Sequence, residues 1–274
     1  MASSAASDSG VLRTPFLEIY LQGAHLTACT LPSGNPLFLS QRANFAPGRA
    51  IRGGIPIIFP WFGDAPPSSK LGPHGFARTA VWQVLERSAD GRSAALELRD
   101  DANTRSQWPH SFHLIARFHA GEVLEVDLEV TNTGSEPFEY EAALHTYLAV
   151  ANVRDSCVHG LEDAVYLDKL DGFAEKRQGS EVIRFPGEVD RVYPAHRSDV
   201  RVEDSTGAAR LLVAKQNSGS TILWNPGPER GSAMKDLGSE WSRFVCVESG
   251  NVGSDQIRLA PSESHRMNIS LGPA

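Results

Sequence analysis

Two side chains of this sequence are suited to acid–base chemistry, and each directly follows apolar residues. His145 comes after Leu144, and Glu248 comes after the apolar run at 244–247. A carboxyl group among apolar residues has a raised pKa unless it is paired, and it can then serve as a general base near neutral pH. The same pattern also fits a packed core histidine and a strand-end glutamate that reaches solvent. The local sequence does not decide between these explanations.

Two arginines beside glycine-containing segments indicate an anion site. Arg52 precedes Gly53 and Gly54, and Arg78 ends the segment HGFAR at 74–78. A guanidinium group offers a planar fork of donors that suits a phosphate, and glycine lets the backbone come close to a ligand. The alternative is that each arginine pairs with a surface carboxylate, and spacing alone favours that alternative.

The sequence lacks the motifs of several other catalytic classes. It contains no H-E-x-x-H, no G-x-S-x-G, no Walker A motif and no G-x-G-x-x-G that opens a helix. The histidines lack the local spacing of metal ligands, and Cys29, Cys157 and Cys246 are too widely spaced for a disulfide framework or a zinc motif. We therefore expect no metal, no cofactor and a buried, inert Cys246 thiol. This cysteine usage is typical of a cytoplasmic protein.

Charge and hydropathy exclude two kinds of partner. The 274 residues carry a formal net charge of −7 and no basic run longer than two residues. Nucleic-acid binding relies on clustered lysines and arginines, so nucleic acid is not expected as a partner. No apolar stretch is long enough to span a bilayer, so a membrane is not expected either. A small anion needs only two or three cations, which this composition supplies, and we expect a monomer.

Hydrophobic residues recur with a period of two along most of the chain, which indicates β-strands. The clearest strand is at 124–130, where four apolar residues alternate with three acidic ones. We predict strands at 16–21, 25–31, 81–86, 94–99, 113–119, 124–130, 138–148, 200–203, 210–215, 221–224, 244–247, 257–259 and 266–271. Helical pattern is limited to 101–107 and 233–237. Many short strands joined by glycine- and proline-marked turns predict an all-β sandwich or barrel.

The chain shows no internal repeat and no linker after residue 10. We therefore predict one domain over residues 11–274. Residues 1–10 are rich in alanine and serine and lack the basic start and apolar centre of a secretory signal. We predict that they form a disordered tail.

Six segments of the sequence together resemble the glucose-6-phosphate 1-epimerases, or hexose-6-phosphate mutarotases. These enzymes are a branch of the aldose 1-epimerase, or galactose mutarotase-like, superfamily. The matching segments are RGGIPIIFPWFG at 52–63, HGFAR at 74–78, ALHTYL at 143–148, DRVY at 190–193, WNP at 224–226 and FVCVE at 244–248. They occur in the family's order, and the resemblance spans nearly the whole chain from about residue 12. The resemblance implies a large antiparallel β-sandwich that binds a sugar on a concave sheet face.

The resemblance also implies roles for individual residues. Glu248 matches the family's general base and His145 its general acid. Arg52 and Arg78 match the arginines that bind the phosphate of the substrate. The sequence departs from the family pattern at 226–239 and at residue 73, where proline replaces a glutamine that contacts substrate in some members.

Two further residues match positions that hold the sugar in the family. These are His74 and Asp190, and the expected ligand is therefore a small sugar phosphate.

The implied reaction exchanges the α and β anomers of a hexose 6-phosphate, and the residue types suit it. A base removes the proton of the C1 hydroxyl while an acid protonates the ring oxygen, and the open aldehyde then recloses from the other face. Positioned acid–base catalysis contributes about 10²–10⁴-fold per group. Three other functions are compatible with the sequence: an epimerase of unphosphorylated aldoses, a non-catalytic sugar-phosphate binder, and a glycosidase that uses Asp190 as a second carboxylate.

Overall fold

Alternating apolar and polar residues generate a framework of antiparallel strands. The computed structural model describes residues 10–65, 71–204 and 210–274. Its strands are β1 Val11–Arg13, β2 Leu17–Tyr20, β3 His25–Cys29, β4 Ile57–Ile58, β5 Gln83–Arg87, β6 Ser93–Arg99, β7 Phe112–Ala120, β8 Leu124–Asn132, β9 Phe138–Tyr140, β10 Ala142–Leu144, β11 Tyr147–Ala149, β12 Cys157–His159, β13 Val165–Asp168, β14 Ala174–Arg177, β15 Val189–Tyr193, β16 Val200–Glu203, β17 Arg210–Gln216, β18 Ser220–Asn225, β19 Phe244–Asn251, β20 Ile257–Leu259 and β21 Ser264–Pro273. The α-helices are α1 Ala102–Gln107 and α2 Gly227–Ala233.

Two eight-stranded sheets form the body of the molecule. The first has the order β12-β16-β17-β21-β8-β7-β6-β5. The second has the order β14-β13-β15-β18-β19-β10-β4, with β11 also paired to β19. One hydrophobic cluster joins their facing surfaces, including Leu128 from the first sheet and Leu223 from the second. Burial of alternate apolar residues between two sheets is the arrangement of a β-sandwich, and it confirms the predicted fold class.

The strand predictions are accurate where alternation is strong. The hairpin β7–β8 pairs from Phe112 with Asn132 to Ala120 with Leu124, and its β8 side chains alternate between buried and partly exposed. The predicted strand at 138–148 is instead three short strands, interrupted at Glu141 and at His145. The strands β1, β4 and β12 to β15 were not predicted, because each spans only two to five residues, too few to show a clear alternation.

The two predicted helices had different outcomes. Helix α1 begins after Asp101, whose side chain accepts a hydrogen bond from the backbone of Thr104 while the Thr104 hydroxyl accepts one from the backbone of Asp101. This reciprocal capping is encoded locally. The helical turns predicted at 233–237 were wrong. The helix occupies Gly227–Ala233 instead, with proline near its start, where a missing N–H is tolerated.

Three further observations concern residues 1–10, the cysteines and the helices. Residues 1–9 of the predicted tail lie outside the described residues, whereas the carbonyl of Gly10 accepts a hydrogen bond from the backbone N–H of Leu21. The three cysteines are free thiols, and Cys246 is fully buried as predicted. Among the described residues, no helix is long and apolar enough to cross a membrane.

Candidate active site

Strand register places several polar and aromatic side chains on one face of the second sheet. Asp190 on β15 is the register partner of Trp224 on β18, which pairs in turn with Cys246 on β19. Cys246 then pairs with Tyr147 on β11. Residues two apart on a strand share a face, so Glu248 lies on the same face as Cys246. The intervening Val247 points into the core between the sheets.

Glu248 is not at the end of a strand, as one sequence explanation required. Strand β19 continues to Asn251, and Glu248 is only 1% exposed. The strand extends this far because Ser249 and Gly250 keep pairing with β10 and β18. The alternative of a glutamate that reaches solvent is therefore wrong.

His145 lies in the two-residue gap between β10 and β11. Its backbone N–H donates to the carbonyl of Pro56. The imidazole stacks on the ring of Tyr147 with centroids 4.8 Å apart and meets Trp224 edge-on at 5.8 Å. These aromatic contacts fix the plane of the imidazole.

The imidazole of His145 and the carboxyl of Glu248 face each other directly. Nε2 of His145 is 3.3 Å from Oε1 of Glu248. Burial lowers the pKa of His145 well below its ordinary 6.5 and raises the pKa of Glu248 well above its ordinary 4.5. Both shifts favour a neutral imidazole beside a neutral carboxyl group, a form in which the pair holds one titratable proton.

The other polar atom of each partner is unsatisfied. Within the described part of the chain, neither Nδ1 of His145 nor Oε2 of Glu248 has a hydrogen-bond partner, although both are buried. A buried polar atom without a partner is unfavourable by about 1–3 kcal/mol. Hydroxyl groups of a bound sugar could relieve that penalty.

The segment that carries Arg52 is held against the sheet by its two glycines. Gly53 and Gly54 have φ values of +114° and +61°. A Cβ at Gly53 would approach the carbonyl oxygen of Phe38 to 2.5 Å, and one at Gly54 would collide with the carbonyl oxygen of Leu26. The glycines thus permit close contact with protein backbone rather than with a ligand, which corrects the sequence interpretation.

Arg52 is already engaged by two groups of the protein. Its Nη1 donates to the hydroxyl of Tyr147 at 2.9 Å, and its Nε and Nη2 each lie 3.1 Å from Oδ2 of Asp236. About a quarter of the Arg52 side chain is exposed. Asp236 therefore occupies part of the guanidinium fork that an external anion would use.

Arg78 is less constrained than Arg52. Its Nη2 donates to the carbonyl of Pro73 at 2.7 Å, and among the described residues it forms no ion pair. The neighbouring His74 accepts a hydrogen bond at Nδ1 from the backbone of Gly63. Burial and the charge of Arg78 lower the pKa of His74 to about 3, so His74 is neutral.

Asp190 is buried beside a lysine that the sequence analysis did not identify. Nζ of Lys169 is 3.3 Å from Oδ1 of Asp190 and 5.1 Å from the centroid of the Phe62 ring. Burial raises the pKa of Asp190, and Lys169 opposes that shift. Lys169 carried no signal in the sequence, because it follows a short strand that was itself not predicted.

The six predicted residues line one cavity of about 220 Å³. They are Arg52, His74, Arg78, His145, Asp190 and Glu248. Lys169 and Arg230 add further positive charge to its lining, and Phe62, Trp224 and Met234 add apolar surface. The cavity thus joins a buried imidazole–carboxyl pair to several cations, which suits an anionic polyol better than a neutral or cationic ligand.

Comparison with known proteins identifies the family. The aldose 1-epimerase family matches residues 16–272. The chain belongs to this family. A protein from Cenchrus ciliaris named "Putative glucose-6-phosphate 1-epimerase" is 35% identical over 93% of this chain and 80% of its own length. An Escherichia coli K12 protein of the same name is 36% identical over 86% of this chain and 80% of its own length.

A solved structure extends this similarity to three dimensions. It comes from Salmonella typhimurium and is named "putative mutarotase". It superimposes with a TM-score of 0.86 at 30% identity and covers 96% of this chain and 88% of that protein. Family membership confirms the predicted resemblance, the sandwich fold and the isomerase class. The roles of individual residues in this aldose 1-epimerase family member stay predictions.

Proposed function

We propose that this protein interconverts the α and β anomers of a hexose 6-phosphate, with glucose 6-phosphate as the preferred substrate. The observation that carries the proposal is the contact between His145 and Glu248 in a cavity that also presents Arg52 and Arg78. The names of the Cenchrus ciliaris and Escherichia coli relatives support the same substrate.

The proton inventory of the pair suits ring opening. Binding of the sugar lets its C1 hydroxyl donate to Glu248, which stabilises the carboxylate and leaves the proton of the pair on His145. Glu248 then removes the hydroxyl proton while the C1–O5 bond breaks, and His145 delivers its proton to O5. The pair ends as a carboxylic acid and a neutral imidazole, the form that burial favours.

The second half of the cycle reverses these transfers. The aldehyde rotates about C1–C2 and presents its other face to O5. His145 takes the proton from the O5 hydroxyl as the bond to C1 forms, and Glu248 returns its proton to the former carbonyl oxygen. No net proton is gained or lost, so one pair catalyses both directions.

The remaining residues bind and orient the substrate. Arg78 and Arg52 take the phosphate, which must compete with Asp236 for Arg52. The paired groups of Asp190 and Lys169 supply acceptors and donors for sugar hydroxyls. Trp224 and Phe62 provide apolar surface of the kind that covers the faces of a sugar ring.

Polarimetry of freshly dissolved α-glucose 6-phosphate and α-glucose tests the proposal. We expect the protein to accelerate equilibration of the phosphate ester with a kcat/KM at least about tenfold above that for glucose, because at least one charge-assisted contact is lost without the phosphate. Equal or greater activity on glucose would instead identify an epimerase of unphosphorylated aldoses. Binding of glucose 6-phosphate without acceleration would identify a non-catalytic binder.

A further inference from the structure

A cysteine, a histidine and a glutamate meet at an edge of the first sheet, outside the catalytic cavity. Cys157 and His159 lie two residues apart on the edge strand β12, and Glu203 on β16 is the register partner of Cys157. The intervening Val158 and the neighbouring Val202 are buried. Because side chains alternate along a strand, the three polar side chains share the opposite, outward face.

The spacing of the three side chains matches a metal site before any metal is bound. Sγ of Cys157 is 3.5 Å from Nε2 of His159, and that nitrogen is 3.7 Å from Oε2 of Glu203. In a tetrahedral zinc site the usual bond lengths place sulfur and nitrogen ligands about 3.5 Å apart and nitrogen and oxygen ligands about 3.4 Å apart. All three ligand atoms lie within 4.8 Å of one another, so binding would require only small movements.

Charged neighbours lie close to the outer atoms of His159 and Glu203. Nδ1 of His159 is 3.6 Å from Oε1 of Glu162, whose Oε2 accepts from the backbone N–H of Gly160. Oε1 of Glu203 is 2.9 Å from Nε of Arg201, which leaves Oε2 facing the histidine. A carboxylate behind the histidine ligand is the usual outer support of a zinc site.

We propose that Cys157, His159 and Glu203 bind one zinc ion, with a fourth position open to water. A thiolate and a carboxylate together neutralise a divalent cation, and a sulfur–nitrogen–oxygen ligand set suits zinc better than magnesium or calcium. About a quarter of the His159 and Glu203 side chains is exposed, so an ion can enter. No metal was expected from the sequence, because the histidines and cysteines lack the local spacing of metal ligands, and Glu203 lies on a different strand from Cys157 and His159.

Zinc at this position would cross-link the edge strand to its neighbour. Strand β12 pairs with β16 through three residues and otherwise contacts Ile183 through an isolated bridge. An ion bound only by the folded state raises stability by mass action. We expect a rise of about 5 °C in melting temperature at a hundredfold excess over the dissociation constant.

Titration of the reduced, full-length protein with cobalt(II), followed by displacement with zinc(II), tests the proposal. We expect a thiolate-to-cobalt charge-transfer band that zinc abolishes. Cys157→Ser should remove the band, and His159→Gln should weaken binding by more than about 100-fold. Glu162→Gln should weaken it by about 10–100-fold, as expected for loss of an outer carboxylate.

Two controls separate this site from other places where a metal could bind. His113 also lies on a strand with its Nε2 2.7 Å from a carboxylate oxygen of Glu97, but it has no thiol partner. His113→Gln should leave cobalt binding unchanged. His145, Cys246 and Glu248 form a second group of candidate ligands at the acid–base pair. A charge-transfer band that survives Cys157→Ser and disappears in Cys246→Ser would overturn the proposal, as would the absence of any band.

Catalytic activity supplies an independent readout. Metal on the β12–β16 edge should leave anomer exchange unchanged, and Cys157→Ser should be as active as the wild type. Inhibition of anomer exchange in parallel with cobalt binding would place the ion in the catalytic cavity and contradict the proposal. This outcome is distinct from failure of the proposed function, which would be measured in the protein without added metal.

Discussion

The proposed acid–base end and the proposed anion end of the cavity are built from different kinds of structure. The acid–base end uses β19 and the gap between β10 and β11, and it is almost fully buried: His145 is 8% and Glu248 1% exposed. The anion end uses Arg52 and Arg78 from connections on either side of the short strand β4, and both side chains are only partly buried.

This difference follows from the physical demands of each task. Proton transfer requires fixed donor–acceptor distances and an environment that shifts both pKa values. The paired strand β19 fixes Glu248, the contacts with Tyr147 and Trp224 fix the imidazole of His145, and burial shifts both pKa values. Phosphate binding requires positive charge and access from solvent, and it tolerates movement of the cations. The buried end should therefore control kcat for all sugars, whereas the exposed end should control preference for the phosphate ester.

Replacement of the base is expected to have the largest effect. Glu248→Gln keeps the shape of a neutral carboxyl group but cannot accept the C1 hydroxyl proton, so kcat should fall by about 10³–10⁴-fold for both glucose 6-phosphate and glucose. Polarimetry measures the loss, and circular dichroism checks that the fold is retained. The matched control is Glu97→Gln, which disrupts the His113–Glu97 pair on the other sheet and should keep full activity. A Glu248→Gln variant within tenfold of wild type would remove Glu248 as the base.

Replacement of Arg78, which forms no ion pair among the described residues, should distinguish the roles of the two ends of the cavity. Arg78→Ala removes a charge-assisted contact with phosphate, so kcat/KM for glucose 6-phosphate should fall by about 10–100-fold. Activity on glucose should change less than about threefold. Both substrates are measured under the same conditions with the same protein preparation. Equal losses of kcat/KM on the two substrates would mean that Arg78 stabilises the structure of the cavity and does not bind the phosphate.

The buried carboxyl group predicts a pH-dependent difference in stability. Because the pKa of Glu248 is raised in the folded state, the unfolded chain releases this proton above about pH 4.3 while the folded protein keeps it. The free energy of unfolding of the wild type should therefore fall, relative to Glu248→Gln, by up to about 1.4 kcal/mol per pH unit as pH rises toward the folded pKa. Urea unfolding of both proteins between about pH 5 and pH 7 measures the difference. A constant difference would show that the folded protein has already released this proton over that pH range, and it would contradict the raised pKa of Glu248.

The contrast between the two ends also explains which features the sequence could predict. Glu248 and His145 were identifiable because each is an ionisable residue that interrupts an apolar strand pattern. This interruption is visible in the local sequence. Strand register then determines that Glu248 and Tyr147 share a face, but register depends on pairing between distant segments. The sequence alone therefore suggested a strand-end position for Glu248.

The anion end was predictable only in part. Arg52 and Arg78 have glycine-rich neighbours, but Asp236 and Lys169 have no local signal that connects them with the cavity. Asp236 reaches Arg52 from the segment after α2, where the predicted helix was misplaced. Lys169 follows β13, one of the short strands that alternation does not reveal. Both contacts arise from tertiary packing.

Asp236→Asn should have the smallest effect, because within the described part of the chain Asp236 contacts Arg52 at the anion end and neither His145 nor Glu248. Its carboxylate lies 3.1 Å from Nε and Nη2 of Arg52 and must yield to an incoming phosphate. Partly exposed ion pairs contribute about 0.2–1 kcal/mol, so Asp236→Asn should lower KM for glucose 6-phosphate by about 1.5–5-fold. Asp171→Asn, which removes a surface carboxylate paired with Lys176, is a matched control and should leave KM unchanged. A rise in KM for glucose 6-phosphate in Asp236→Asn would contradict this prediction. It would show that Asp236 holds Arg52 in the position that binds phosphate, and that losing this contact matters more than removing a competing carboxylate.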